Sequence, residues 1–498
     1  MKIWGYDQTW WLKRGTFSAL ITCLAVGWLA LVPAKAWAEA NGLSVVQETI
    51  RVQVNQKQLT LQLVRIRLSD PALRLEIVTA ANGIGHDESF ASMVQRTDAV
   101  AAVNGTFFNA YEKVEHIRYP NGLLVQDGDI IHSGSNPALV WTRDGTLQFA
   151  FVRTGVQVTV TGPDEANAYT FSPWGVNKYY GDSNKDQVVW YTPEFGSSID
   201  FPGGTKVVIR NGRVTEMTEG GVTVPRDGFV VFIGHSDNNR KHLLPHIQVG
   251  DRVEVKAVAQ DYVDGKTFDP GEWLAAIGVG PKLVTGGKVD VDFVRDGYSD
   301  PKITQQAGQR SFTGVDAEGR LVMGTAGNAT IRELAEALVS IGLKEAMNMD
   351  GGASSGLYAN GNMITVPGRE LSNALVIRRL AQPEVQIELN GRLVTNYVGY
   401  INSGTGSTMV PIRPFLEAMG ADFDWDGNKR LLTIRRGDTT IVMDLDQGSV
   451  SINGVTQTLE APPVLVDGRI NIPLRFVAET FGARVEWNSS LYRASVWW

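Results

Sequence analysis

The chain has 498 residues, a formal net charge of −7, 43% apolar and 20% charged residues. That length is too great for one compact core, so two or three domains are expected, and the composition is that of globular protein rather than disordered or fibrous chain. An acidic balance excludes nucleic acid and anionic membrane surfaces as the expected partners, though not a small anion held in a local pocket.

The N-terminus reads as a leader. Lys13 and Arg14 precede an apolar run from Gly15 to Ala34, and Ala36-Trp37-Ala38 supplies a small-x-small cleavage signal. Export to the periplasm, cell envelope or medium is expected, with no membrane span left after cleavage at residue 38; an uncleaved anchor is the alternative. The leader carries Lys2, Lys13, Arg14 and Lys35 against Asp7, so its removal takes the net charge from −7 to −10. It also removes Cys23, the only cysteine. The mature chain can form no disulfide and depends on core burial.

Residues 39–382 read as a first domain of α+β class, strand- and hairpin-rich with few helices. "LLVQDGDII", "LVWTRDGTLQF", "VVIRNGRVTEM", "LVTGGKV" and "LYANGNMI" each place DG, NG or GG between β-favouring flanks, a strong hairpin signal. Two helices interrupt them. One spans 86–98, with Phe90, Met93 and Val94 on one side. The other spans 330–342, opened by a capping box of Thr330 with Glu333, burying Ile331, Leu334, Ala335 and Leu338, and stopped by Gly342. The segment "GHSDNNRKHLLPH" offers His235, His242 and His246, but Pro245 argues for a loop without metal there.

Residues 385–498 read as a small second domain made of two repeats, about 385–440 and 441–498. "VPIRPFLEAMGADFDWDGNKRLLTI" (410–434) realigns on "IPLRFVAETFGARVEWNSSLYRASV" (472–496), so that Pro411 meets Pro473, Arg413 meets Arg475, Gly420 meets Gly482 and Trp425 meets Trp487. One such unit could hardly bury its apolar face alone. The pair resembles the N-terminal, non-catalytic domain of copper amine oxidases. No His-x-His is present and no histidine follows His246, so copper chemistry is not implied. An accessory role is expected, attaching the protein to cell wall or polymer or merely holding it at a distance.

Candidate chemistry centres on "NMDGGASSGLY" (348–358). "GASSG" fits the G-x-S-x-G serine-hydrolase pattern, but a hairpin follows it and every histidine precedes residue 247, so no triad of that order can be built. The other reading starts from Gly351 and Gly352. With positive φ, their N–H groups would form an anion-binding nest to which Ser354 and Ser355 add hydroxyls, next to the carboxylate of Asp350. A turn whose aspartate caps its own backbone is the plain alternative.

Four further segments accompany this one: "AVAAVNGTFFN" (99–109), "GVGPKLVTGGKV" (278–289), "QRSFTG" (309–314) and "RELSN" (369–373). In this order, from about residue 75 to residue 380, they resemble the motifs of the phosphodiester glycosidase family, with two departures: Ala353 at a third glycine, and Ser311-Phe312 for Thr-Ala. The resemblance implies hydrolysis of sugar-1-phosphodiester linkages in envelope or extracellular polysaccharide. Arg310 would grip two phosphate oxygens with its planar fork, and Gly351, Gly352 and Ser354 would bind the remaining oxygen. Asp350 would serve as general base or nucleophile. Asn104 and Asn373 would position the sugar or hold Asp350, and Gly105, Gly280, Ser355 and Lys282 join the substrate-binding set, Lys282 being more readily a solvated residue. Glu115 and His116 are candidate proton donors, His116 equally a plain loop residue. No cofactor is required; a divalent cation on Asp350 is left open. A catalytically silent carbohydrate-binding protein and a metal-dependent phosphoesterase are the competing readings.

Overall fold

The computed structural model describes residues 43–163, 168–394, 397–466, 469–489 and 491–498, with the backbone but not the side chain of Glu115. The expected leader and cleavage signal lie outside the described residues. Among those described, no helix is long and apolar enough to cross a membrane.

All five expected hairpins form, and their turns show why. Asn211 and Gly212 have φ of 47° and 70°, Asn360 and Gly361 of 46° and 87°, the left-handed pair that matches strand twist in a two-residue turn. A further hairpin, Val45–Val54 with Lys57–Ile66, turns through Asn55 at φ 53°. Its turn contains no glycine and carried no signal in the sequence.

Three sheets frame the candidate residues. A seven-stranded antiparallel sheet runs in the order 45–54, 57–66, 321–329, 308–316, 343–348, 282–285, 288–289. A five-stranded one runs 362–365, 357–359, 99–104, 373–379, 73–79. A thirteen-stranded sheet holds most of 124–278 and is antiparallel except where Gly175–Val176 pairs with Val188–Tyr191. Met347, Met349, Leu357, Val103 and Leu375 join one core with Leu124, Ile277 and Phe232, so apolar strand faces from all three sheets close on each other.

The helix Ile331–Ser340 has both halves of the capping box: Glu333 N–H donates to Thr330 Oγ1 at 3.2 Å, and Thr330 N–H donates to the Glu333 carboxylate at 2.8 Å. It buries the four predicted residues and Ala337 against the seven-stranded sheet. The first helix is shorter than expected, Phe90–Arg96, because Ser89 caps it by accepting from Ser92 N–H. The expected loop at 235–246 is a correction: Ser236 caps a helix over Asp237–His242, and a single 3-10 turn, Leu244–His246, accommodates Pro245. There His246 stacks on Tyr169 at 4.1 Å, and His235 is hydrogen-bonded to Thr205 at 3.0 Å.

Residues from Glu384 onward form their own two sheets around a separate core built of Val385, Phe415, Leu416, Ile434, Met443, Val477 and Val496 among others. Arg74 reaches Glu384 with two bonds of 2.8 and 3.0 Å, and Gln386 donates to the Arg143 carbonyl at 2.7 Å, fastening this part to the rest.

Candidate active site

Asp350 lies two residues beyond the strand Leu343–Asn348, whose last three residues are buried, and its position is fixed through its backbone. Asp350 N–H donates to the Gly105 carbonyl at 3.1 Å, and Asn104 Nδ2 donates to the Asp350 carbonyl at 2.7 Å. The other end of the Asn104 amide accepts from Gly356 N–H at 3.0 Å, so one wholly buried side chain clamps both ends of the 350–356 turn. Gly105 must be glycine, since a Cβ there would lie 1.8 Å from Asn373 Oδ1. Asn373, also buried, accepts from Thr106 N–H at 3.0 Å and donates to Thr106 Oγ1 and Ser372 Oγ, both at 2.8 Å. Asn104 therefore holds the turn, and Asn373 holds the 105–106 segment on which the Asp350 N–H rests.

The glycines differ from expectation. Gly352 has φ 62°, but Gly351 is extended at φ −115°. Two successive N–H groups do not form the nest the sequence suggested. Gly351 is needed for close approach instead: a Cβ would meet the Gln309 carbonyl oxygen at 2.9 Å. Its N–H and the Ser354 hydroxyl lie close enough to the Asp350 carboxylate to favour its charged form. Ser354 and Ser355 are 1% and 2% exposed, so neither offers a hydroxyl to a large ligand.

Burial pushes the Asp350 carboxyl up to about 6, against the opposing effect of Ser354 and Gly351 and the nearby charge of Arg369. A carboxylate that exchanges a proton near neutrality is suited to general-base work.

Arg310 stands beside this turn on the strand Gly308–Asp316, its Nη1 3.8 Å from where a Gly351 Cβ would be. The expected two-oxygen fork is corrected, however. Nε donates to the Ala329 carbonyl at 2.9 Å, and Nη2 to the carbonyls of Lys302 at 3.0 Å and Gln306. Only Nη1 is without a hydrogen-bond partner among the described residues. Desolvation lowers the guanidinium's pKa from its ordinary value.

The bonds of Arg310 to the 302–306 backbone bring a second cation into place. Lys302, on the short helix Pro301–Thr304, points its Nζ over the Tyr111 ring at 5.9 Å. Arg369 lies over the same ring at 5.2 Å and donates to Tyr111 Oη at 3.4 Å. Arg369 is placed by its neighbour: Gly368 N–H donates to the Ala353 carbonyl at 2.7 Å, tying the 366–370 loop to the Asp350 turn. The Arg369 bond and charge, then the Lys302 charge, hold the exposed Tyr111 phenol below its usual pKa, while Asp350 opposes them. Tyr298 closes another side. It donates to the Val279 carbonyl at 2.7 Å, packs on Phe107 at 5.9 Å, and has its pKa raised by burial first, then by the charge of Asp296 and least by that of Asp350.

Of the residues singled out in the sequence, the structure brings together Asp350, Asn104, Gly105, Asn373, Gly351, Gly352, Ser354, Ser355 and Arg310. Gly280 adjoins them, its carbonyl accepting from Asn348 Nδ2 at 3.1 Å. Lys282 is neither solvated nor in the site: it is 4% exposed, paired with Glu345 at 2.6 Å and set over Phe149. Desolvation lowers its pKa, opposed by the Glu345 bond and charge. His116 is exposed in the 3-10 turn Glu115–Ile117, and among the described residues no side-chain bond joins it to Asp350. The Glu115 side chain lies outside what is described. Arg369, Lys302, Tyr111 and Tyr298 were not singled out. Only Arg369 has a signal in the sequence, as the first residue of "RELSN", the segment that ends in Asn373.

Among the described residues no group of three or more His, Cys, Asp or Glu side chains converges to hold a metal ion.

Comparison with known proteins gives two family matches. Residues 203–378 match the model of the phosphodiester glycosidase family, and residues 388–496 that of the copper amine oxidase N-terminal domain. The first match includes Arg310, Asp350, Arg369 and Asn373 but begins after Asn104. None of the curated proteins matches. Among solved structures, a hypothetical protein from Synechocystis is similar at TM-score 0.57 and 19% identity, over 67% of this chain and 62% of that one. The chain thus spans less than two thirds of that relative's length. An exported-protein candidate from Burkholderia pseudomallei is similar at TM-score 0.52 and 19% identity, over 64% and 74%. The catalytic domain of zebrafish N-acetylglucosamine-1-phosphodiester alpha-N-acetylglucosaminidase, auto-inhibited by its pro-peptide, aligns over 67% and 83% at 13% identity, but its TM-score of 0.34 is too low to carry an argument. At these identities the solved structures speak for the fold alone, and what the chain shares by sequence is a phosphodiester glycosidase match over residues 203–378 and a copper amine oxidase N-terminal-domain match over residues 388–496.

Proposed function

We propose that the protein is an exported hydrolase that cleaves sugar-1-phosphodiester linkages in envelope or extracellular polysaccharide. The observation that carries the reading is the Asp350 carboxyl, pushed up to about 6, with the charge of Arg369 acting on it, Arg310 beside its turn, and Lys302 sharing the Tyr111 ring with Arg369. A phosphodiester anion at this mouth meets Arg369 and Lys302 as its principal cations, with Arg310 Nη1 behind them.

Asp350 takes a proton from water as that water attacks the anomeric carbon. The carbon–oxygen bond to phosphate breaks, and the phosphomonoester departs with the bonding electrons. Asp350 then releases its proton to solvent. A phosphomonoester is stable as an anion at neutral pH, so the leaving group needs no proton donor and no such role is required of His116. No metal is required by this scheme, and a divalent ion on Asp350 stays an outcome of the test.

Residues 385–498 are read as two repeats of strand, helix, strand, strand. The series Thr408–Pro411, Ile412–Met419, Asp422–Asp426, Leu431–Arg436 is followed by Arg469–Pro473, Leu474–Thr480, Arg484–Asn488, Arg493–Trp497 in the same order. Their proposed role is to hold the enzyme on its polymer.

The test is turnover of GlcNAc-1-phosphate diesters by wild type and by Asp350→Asn. Turnover by wild type alone is expected, unaffected by chelator. In labelled water the label should enter the sugar; label in the phosphate would overturn attack at carbon. No turnover of any such diester would make this a silent carbohydrate-binding protein, and loss of activity in chelator a metal-dependent esterase.

A further inference from the structure

The two tryptophans that align between the C-terminal repeats have different surroundings. Trp425 packs against the second core. Trp487 does not: it is 40% exposed and borders a cleft of about 450 Å³ between the helix Leu474–Thr480, the strand Arg484–Asn488, and the loops at 406–408 and 459–461. That volume falls within the range of small-ligand sites. Tyr492 meets the Trp487 ring edge-on at 5.1 Å and fixes its plane. The same cleft is lined by Glu460, an exposed carboxylate with no bonded partner among the described residues, and by Ser407 and Thr408. Arg475 is already committed, to Glu479 at 3.0 Å and to the Val485 carbonyl at 2.9 Å.

An aromatic face held rigid, with a free carboxylate and two hydroxyl-bearing residues lining the same cleft, suits a pyranose ring. The apolar face of the sugar lies on the indole, and neighbouring hydroxyls donate to the carboxylate. Because Glu460, Glu479 and Glu486 outnumber Arg475 around the cleft, an anionic sugar is disfavoured. We propose that the Trp487 cleft is a second saccharide site, which takes a stretch of neutral pyranose units and is separate from the phosphodiester chemistry at Asp350. This rests on the reading of residues 385–498 as a polymer attachment module and assigns that attachment to a place.

The experiment titrates the full chain with soluble β-1,4-linked oligosaccharides of N-acetylglucosamine and of glucose, following binding by calorimetry. Co-sedimentation with insoluble chitin and cellulose runs alongside. Wild type and Asp350→Asn should bind alike. Trp487→Ala should weaken binding at least tenfold, Glu460→Gln by a smaller factor, and Trp487→Phe should restore most of the loss. Circular dichroism of each variant confirms folding. Binding that survives Trp487→Ala but falls in Arg369→Ala would move the sugar to the Asp350 site and overturn the assignment. Co-sedimentation that survives Trp487→Ala would keep the attachment reading and reject this cleft. A wild type that binds neither oligosaccharide series overturns the proposal. Turnover of a soluble diester is indifferent to all these outcomes, so failure of the catalytic reading is scored separately.

Discussion

Replacing Asp350 by asparagine should make the fold more stable at neutral pH while abolishing turnover. The folded carboxyl titrates at about 6 against an ordinary 3.8 because burial penalises its charge. A carboxyl whose folded pKa is raised binds its proton more tightly folded than unfolded. The protein therefore loses stability as pH rises from about 3.8 to about 6, and loses no more from this source above that. The difference of roughly two pKa units corresponds to about 3 kcal/mol. Asparagine resembles the protonated carboxyl in charge and shape, so Asp350→Asn should match wild type near pH 3.8 and exceed it by about 3 kcal/mol at pH 7, about a hundredfold in the unfolding constant. Residues from Val385 onward have a core of their own, so a whole-chain melting point is the wrong readout. Hydrogen exchange of peptides covering Leu343–Met349, in urea at pH 4 to 8, follows the strand that carries Asp350. A stability gap that stays constant from pH 4 to 8, or an asparagine variant weaker than wild type at pH 7, would refute the claim that Asp350 is held against its ionisation.

With phosphodiester substrate, kcat/KM should rise with pH to a plateau with its midpoint at about 6, since Asp350 must be ionised to accept a proton; a flat profile from pH 5 to 8 contradicts the base role. Arg369→Ala and Lys302→Ala should each raise KM about tenfold, roughly 1.4 kcal/mol of lost anion binding, without loss of fold as judged by circular dichroism. Gly105→Ala places a Cβ 1.8 Å from Asn373 Oδ1, so the strands ending at 104 and beginning at 373 must part. A loss of about 1–3 kcal/mol by urea unfolding is expected, with turnover falling further because the Gly105 carbonyl holds Asp350. Arg310→Lys leaves the carbonyls of Ala329, Lys302 and Gln306 competing for one ammonium. Destabilisation of about 1–3 kcal/mol should follow, and KM should rise as the helix bearing Lys302 loosens.

What was legible in the sequence follows the range of the interactions involved. The hairpins at Asn211-Gly212 and Asn360-Gly361 and the capping box at Thr330 are settled within a few residues, so local chemistry announces them. The turn at Asn55 adopts the same left-handed backbone without glycine and passed unnoticed. Asp350, Asn104 and Arg310 stood out because each sits at a strand with unusual neighbours. Their partners did not. Arg310 was expected to face a ligand and instead spends most of its fork on three main-chain carbonyls, a commitment set by where the 302–306 segment lies. Gly351 was expected to supply positive φ, but it is required by the closeness of Gln309. Tyr111 and Lys302 lie on a loop and a four-residue helix with no pattern to mark them; pairing across hundreds of residues alone brings them to Asp350.

The charge distribution bears on how such a site meets its substrate. The whole chain carries −7, yet three cations gather at the candidate site: Arg310 beside the Asp350 turn, and Lys302 and Arg369 over the Tyr111 ring. A polyanion approaching from a distance is repelled by the total before it can feel the local cations, whose reach in physiological salt is about 8 Å. A polymer whose phosphodiesters are sparse, separated by neutral sugars, suffers less of that repulsion. It also gives the acidic Trp487 cleft something to hold. On this argument, added salt should speed capture of a densely charged polymer and slow capture of a short monoanionic diester, because screening relieves long-range repulsion in the first case and weakens local attraction in the second. Initial rates at low substrate between 20 and about 200 mM salt distinguish the two. If both substrates slow equally, the total charge is irrelevant and the cationic mouth alone governs association.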